Sequence, residues 1–412
     1  MRRATLPFFL IMFFVVLVFS TSAWAASEKV LYSLQGSTDG GFPYDYGLVI
    51  RDASGNLYGT TEAGGSCGYG TVFQLSSDGA ETVLYSFCGS DGRYPDSGLI
   101  RDESGNFYGT TSSGGSGAGC SSGCGTVFEL SGSILTTLYT FTGGSDGAAP
   151  EAGVIRDNNG NLYGTAPSGG NANGAGVVYE VSATGKFSVL YRFCPTGGCP
   201  DGAEPFGGLA IDQQGNLYGT TVYGGARDYG TVYELSPSSG GGWKQTVLHS
   251  FARSDGAFPF SGLTLSTLKI GGRQQTVMFG VTTQGGGAAG EGTAFELNKS
   301  SHDYRVTVLH SFIDRYGDGG YPECTLTVAN GRIFGTTVQG GAHSGYETTG
   351  TVFELIHAKT WTEKVLYSFD GTDGSAPYSG VVADSKGHLY GVASEGGNSE
   401  GYGSGVVYEV TP

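Results

Sequence analysis

The residues of this 412-residue chain best suited to chemistry are carboxylates, and they come in sets. An Asp-Gly pair recurs at Asp39, Asp91, Asp146, Asp201, Asp255, Asp318 and Asp373. A ring of local Ca²⁺ sites is one reading of these loops. The other is an Asx-type turn, in which each carboxylate accepts bonds from its own loop backbone. The spacing favours the turn, because the D-x-[DN]-x-[DN]-G pattern of a calcium loop is absent. Glu129, Glu180, Glu234, Glu296, Glu354 and Glu409 form a second set, at one position of a recurring strand, and read as scaffold. A carboxylate pair for acid–base catalysis does not stand out where every repeat carries acids.

Histidine adds no catalytic centre. His249 and His310 sit inside a recurring strand phrase, while His302, His357 and His388 fall at turns on the far side from His343. Catalysis needs a base with an orienting partner, and a lone loop His such as His343 is more often solvated than catalytic. G-x-S-x-G, H-E-x-x-H and phosphate-binding loop motifs are missing. With three Trp in the chain, a Trp-braced quinone site is also disfavoured. No catalytic residue and no metal centre is assigned.

Cysteines and aromatics carry more information. "CSSGC" and "CPTGGC" close small rings, giving Cys120–Cys124 and Cys194–Cys199, and Cys67 with Cys88 brackets two loops of one repeat. Neither short pair has C-x₂-C spacing, so disulfides are expected rather than metal, with Cys324 left over. Phe42, Tyr44, Tyr46, Tyr94, Phe206, Phe258, Phe260, Tyr321 and Tyr378 flank loop prolines unevenly; one repeat has Ala149 and Glu151 there instead. Rings among Gly and Asp suit stacking on sugars or gripping a protein loop. The alternative is that they pack beneath the loops and order them.

These residues are positioned by repetition. The phrase "VLYSF" or a variant begins near residues 30, 83, 137, 189, 247, 308 and 365, a period of about fifty residues. In the second unit "VLYSF" precedes a loop, then "GLIRD", the turn "ESG", "NFYGTT", a Gly-rich loop and "GTVFEL". Asp-x-x-Gly-Asn is a hairpin signal, since Gly and Asn tolerate positive φ. Four short strands per unit predict an all-β, seven-bladed β-propeller rather than a β-helix, whose turns run about twenty residues. With "GLIRD" as inner strand A, "NLYGTT" is B, "GTVFEL" is C and "VLYSF" is outer strand D. The last unit lacks its D strand, and the N-terminal "VLYSL" is expected to complete it.

The run "GLIRDESGNFYGTTSSGG…GTVFEL" resembles the bacterial GloVer (Gloeo_Verruco) tandem repeat, found in exported proteins, and the likeness recurs in every unit. The strand order also resembles propellers of the NHL type. The resemblance implies an exported propeller and brings no catalytic residues with it. Unit five departs from the pattern at "STLKIGGRQQTVMFG", and unit six at "ANGRIFG".

Glycine recurs inside strand B at Gly59, Gly109, Gly164, Gly219, Gly280, Gly335 and Gly391, where the strand C aromatic is the natural filler. Residues 1–25 read as a signal peptide: basic Arg2 and Arg3, an apolar run, and small residues at Ala23 and Ala25. Residues 26–412 are then one propeller domain, secreted or periplasmic, with no membrane span. The formal charge is −16, and two units more negative once Arg2 and Arg3 are removed. Such a field disfavours nucleic acid and anionic membranes. The D–A and B–C loops share a face that holds all seven cysteines and the proline-flanking aromatics. The expected function is non-catalytic binding of a glycan or protein there. The alternatives are a propeller-type polysaccharide lyase or glycosidase using carboxylates at the central mouth, and a structural envelope component. Closure gives a direct test: deleting Ser27 to Leu34 exposes two edges and lowers the melting temperature strongly, whereas an unchanged transition excludes the arrangement.

Overall fold

The repeats become seven four-stranded antiparallel sheets, each in the order A–B–C–D, in a computed structural model. It describes residues 26–43, 48–117, 119–270, 273–299, 303–315, 317–342, 349–357, 360–397 and 403–412. Residues 1–25, expected to be a signal peptide, and Tyr44, Tyr46, His302 and His343 lie outside the described residues. Blade 2 is representative: A is Ile100–Arg101, B is Phe107–Thr111, C is Thr126–Ser131 and D is Ile134–Thr140. Blade 7 consists of Val382–Ala383, Leu389–Ala393 and Val406–Thr411. Its fourth strand is Ser27–Ser33, which pairs Ser27 with Thr411 and Ser33 with Val406. The chain therefore closes its own ring. No helix among the described residues is long and apolar enough to cross a membrane.

Between blades the core is a stack of backbone and rings. An ideal Cβ on Gly109 of strand B would lie 2.7 Å from Phe128 Cζ of strand C. The same crowding pairs Gly280 with Phe295, Gly335 with Phe353, and Gly164, Gly219 and Gly391 with Tyr179, Tyr233 and Tyr408. The strand C ring then meets the Phe that ends strand D of the preceding blade. Phe87 meets Phe128 edge-on at 5.2 Å, Phe251 meets Phe295 at 5.3 Å, and Phe369 meets Tyr408 at 5.0 Å. All of these rings are fully buried.

Strand D carries a feature that the sequence pattern did not reveal. In every blade the C–D register shifts at the Leu of "VLYSF": Val83 faces Phe73, Tyr85 faces Val72, and Leu84 is the extra residue. The same slip falls at Leu31, Leu138, Leu190, Leu248, Leu309 and Leu366. A bulge adds twist, which bends the outer strand.

Threonines join the strands and blades. Thr61 and Thr71 share a hydrogen bond at 2.9 Å where strand B ends and C begins, and four other blades repeat it. Blades 3 and 7 replace both partners, with Ala166 beside Val177 and Ala393 beside Val406. Losing both hydroxyls together leaves no buried polar group unpaired.

Blade 5 departs as its sequence suggested. Its inner hairpin lengthens to Thr264–Ile270 and Arg273–Thr282. The other expectations about position hold: Cys67–Cys88, Cys120–Cys124 and Cys194–Cys199 are bonded, and Cys324 is free and buried. The Cys324 sulfur accepts the Thr336 N–H at 3.2 Å.

The stack predicts a compensating pair. Gly109→Ala overpacks Phe128 and costs about 1–3 kcal/mol. Phe128→Leu alone opens a cavity, but combined with Gly109→Ala it makes room for the new methyl. Urea melts should give the double variant a smaller loss than the sum of the two single losses. Simple additivity would mean that the glycine is not packed against the ring.

Candidate functional site

The D–A loops are built around one repeated backbone device. The residue before each loop proline, Phe42, Tyr94, Ala149, Glu204, Phe258, Tyr321 or Ala376, has φ between 52° and 58°. Only Gly takes this region freely, so strain is held at seven places. What holds it is hydrogen bonding, on both sides in six of the seven. The Tyr94 N–H donates to the Tyr69 carbonyl of the preceding blade, and the Tyr94 carbonyl accepts from Ser112 of the next. Pro95 Cδ packs on Gly70, where an added Cβ would lie 2.5 Å away. The same donation to the preceding blade is made by all seven pre-proline residues.

This device separates the proline-flanking aromatics into two classes. Phe42, Tyr94, Phe258 and Tyr321 stand before the proline, and their backbones staple adjacent blades. Their rings lean on B–C loops: Tyr94 lies 6.3 Å from Tyr69, and Phe258 lies 5.5 Å from Tyr223 and 5.9 Å from Tyr229. Phe42 is 40% exposed. Phe206, Phe260 and Tyr378 stand after the proline.

The position after the proline lies at the mouth of the central channel. Two residues further on, inner strands meet backbone to backbone: a Cβ on Gly262 would lie 2.8 Å from the Gly208 carbonyl oxygen, and Gly153 and Gly380 are as tightly placed against Gly98 and Thr325. Such approach between equivalent backbones marks the axis of the ring. Just outside that throat stand Asp96, Glu151, Phe206, Phe260, Glu323 and Tyr378, one from each of blades 2 to 7. Phe206 and Phe260 are neighbours, with ring centroids 5.4 Å apart. Asp96 accepts from Ser112 Oγ at 2.5 Å.

The acids of this mouth are partly withdrawn from water. Burial, with the Glu204 carboxylate nearby, pushes Glu151 up to about 7. Burial pushes Glu323 up to about 7 as well. Near neutral pH each therefore exists partly as a carboxylic acid, which can donate a hydrogen bond as well as accept one. In the sequence reading Glu151 registers only as a missing ring, and Glu323 not at all. Their signal was present: each fills, after a loop proline, the slot that other blades give to a ring.

The Asp-Gly loops are turns. Asp91 accepts the Cys88 N–H at 2.9 Å and the Tyr85 hydroxyl at 2.6 Å. Asp146 does the same with Thr142 and Tyr139.

The opposite face also varies, which the sequence reading did not anticipate. There an Arg of one inner strand lies over the strand B Tyr of the preceding blade: Arg51 over Tyr390 at 4.9 Å, Arg101 over Tyr58 at 5.3 Å, and Arg156 over Tyr108 at 5.9 Å. Blades 4 to 7 carry no Arg at this position, the junction of blades 4 and 5 included. A cavity of 520 Å³ opens there, lined by Asp212, Tyr218, Glu234, Gln275, Lys299 and Tyr304 among others. A second cavity of 720 Å³ lies among inner-strand residues of blades 2 to 4, including Ile100, Ile155 and Ile211.

Among protein-family models, the Gloeobacter/Verrucomicrobia repeat matches residues 17–128, 116–277 and 271–412. No curated protein matches the chain. A Bacteroides uniformis protein described as a candidate 6-phosphogluconolactonase is 14% identical, with a TM-score of 0.51 over 82% of this chain and 88% of that one. A candidate gluconolactonase is 12% identical, with a TM-score of 0.41 over 94% and 92%. PorZ, a bacterial surface component of the type-IX secretion system of Porphyromonas gingivalis, is 15% identical, with a TM-score of 0.43 over 83% of this chain and 44% of its own. At these identities the likeness is one of fold.

The raised acids set a pH dependence. Burial and neighbouring Asp residues also push Glu28 and Glu81 up to about 7. A carboxyl raised in the folded state stabilises fully below its unfolded value of 4.5, and this contribution is lost as pH climbs through about 7. The turn carboxylates act oppositely. Burial alone would raise Asp102, but hydrogen bonds from Asn106, Tyr108 and Ser104 outweigh it and hold the group below its ordinary value. Its contribution is lost only as pH falls below the ordinary Asp range. The melting temperature should peak at about pH 5 and fall toward pH 7.5. Glu151→Gln should reduce that fall and raise the neutral-pH value. A flat profile across this range would contradict the burial of these acids.

Proposed function

We propose that this chain, which belongs to the Gloeobacter/Verrucomicrobia repeat family, is an exported propeller that binds a neutral polysaccharide, without turnover, at the D–A/B–C mouth of its channel. One observation carries this reading. The backbone at the mouth is repeated by hydrogen bonds and glycine contacts, yet the side chain after the proline is an acid in blades 2, 3 and 6 and a ring in blades 4, 5 and 7. A surface whose backbone is held constant while its side chains differ suits a ligand without sevenfold symmetry.

The residue types fit a sugar. The faces of Phe206, Phe260 and Tyr378 suit the apolar face of a pyranose, and Asp96, Glu151 and Glu323 suit its hydroxyls. The negative charge of the chain favours neutral or cationic ligands over anionic ones. Three disulfides fit an oxidising compartment outside the cytoplasm.

A second reading, cleavage of the glycan, is favoured by Glu151 and Glu323, since a carboxyl held near neutrality can act as a general acid. A glycan array followed by product analysis separates the two. Replacing Phe206 and Phe260 with Ala should each weaken binding by about 1–2 kcal/mol, roughly 5- to 30-fold. Retained affinity in the folded double variant would exclude the mouth as the site. Glycan turnover by the wild type, lost in Glu151→Gln or Glu323→Gln, would establish the enzyme.

A further inference from the structure

On the outer rim, the aromatic slot of "VLYSF" serves the scaffold by meeting the Asp of the following loop. Tyr139 reaches Asp146 at 2.9 Å and Tyr191 reaches Asp201 at 2.7 Å. The neighbouring blade covers these two pairs with uncharged residues: Phe187 stacks on Tyr139 at 3.6 Å, and Gln245 donates to the Asp201 carbonyl oxygen at 3.0 Å, whereas Glu81 and Glu28 hold the same position beside the Tyr32–Asp39 and Tyr367–Asp373 pairs. Where His249 replaces Tyr, its Asp255 partner lies 2.9 Å away, and the corresponding position of the next blade is Val306.

The junction of blades 5 and 6 changes both positions at once. His310 Nε2 lies 2.9 Å from Asp318 Oδ1, and Glu363 Oε2 of the next blade lies 4.0 Å from the same nitrogen. The donor atoms of the three residues all lie within 4.8 Å of one another. We propose that His310, Asp318 and Glu363 bind a divalent transition-metal ion of the Zn²⁺ class between the two blades.

The Glu363 side chain is 5% exposed, and its Oε1 has no hydrogen-bond partner among the described residues. Glu28 and Glu81, at the equivalent position of two other blades, also bury an unpaired Oε1, but Glu363 alone of the three has an imidazole beside it. Asp314, in the same loop as Asp318, also has a buried carboxylate oxygen without such a partner. Burying a carboxylate beside another is costly unless a proton or a cation neutralises it. A Tyr at position 310 would complete the scaffold bond but offer no imidazole. One imidazole nitrogen and two carboxylates suit Zn²⁺, with bonds of about 2.0–2.2 Å and a fourth position left for water. Ca²⁺ prefers an all-oxygen shell of more ligands and fits this set less well.

The test uses the mature chain from Ala26, stripped with a chelator and titrated with ZnCl₂ by calorimetry and by thermal melting. One saturable site should appear, with a rise in melting temperature. His310→Tyr restores the pair used by most blades, and Glu363→Gln copies Gln245, so both are expected to fold. Each should weaken Zn²⁺ binding by at least about tenfold, while His249→Tyr leaves it unchanged. CaCl₂ should give no comparable shift. The absence of saturable Zn²⁺ binding, or binding unaltered in both His310→Tyr and Glu363→Gln, would overturn the site and leave a shared proton between Asp318 and Glu363.

Discussion

Everything in this fold depends on a contact that only glycine permits. The strand B glycine lets the strand C ring lie flat against the backbone, and the ring in turn receives the terminal Phe of the preceding blade. A methyl group at Gly109 would press into Phe128, in an interior packed too densely to give way. Because the third member comes from another blade, the stack is also the bond between blades. Repetition of the phrase in the sequence follows from this, since each copy must both offer and accept the same surface.

With the blades held in this way, the loops are held too. The pre-proline residues adopt a conformation that an isolated peptide would leave, kept in place by a carbonyl behind and an N–H ahead. Blade 3 shows how local the arrangement is. Pro167 stands where other blades offer the forward N–H, so Ala149 keeps only its bond to Cys124. Such loops present side chains on fixed mounts, which favours recognition by preorganised groups.

Departures from sevenfold identity are therefore the informative places. Scaffold positions vary in compensated sets, as where Thr–Thr becomes Ala–Val. At the channel mouth no such compensation constrains the choice, and some blades carry acids where others carry rings. On the opposite face a cavity opens between blades 4 and 5, and on the rim His310 and Glu363 appear together.

The sequence by itself determined the blade count, the four-strand order, the closure by the N-terminal strand and the cysteine pairs. Each rests on local chemistry: alternation within a strand, Gly and Asn at turns, ring size between cysteines. The bulge at Leu84 was not legible, because "VLYSF" alternates as well with the extra residue as without it. Nor was the division of the aromatics, since Phe258 and Phe260 look alike in sequence while one faces a B–C loop and the other the channel mouth. The burial of Glu151, and the meeting of Glu363 with His310 across more than fifty residues, depend on how neighbouring blades pack. Periodicity fixes what each blade repeats; only the closed ring decides which unrepeated side chains come together.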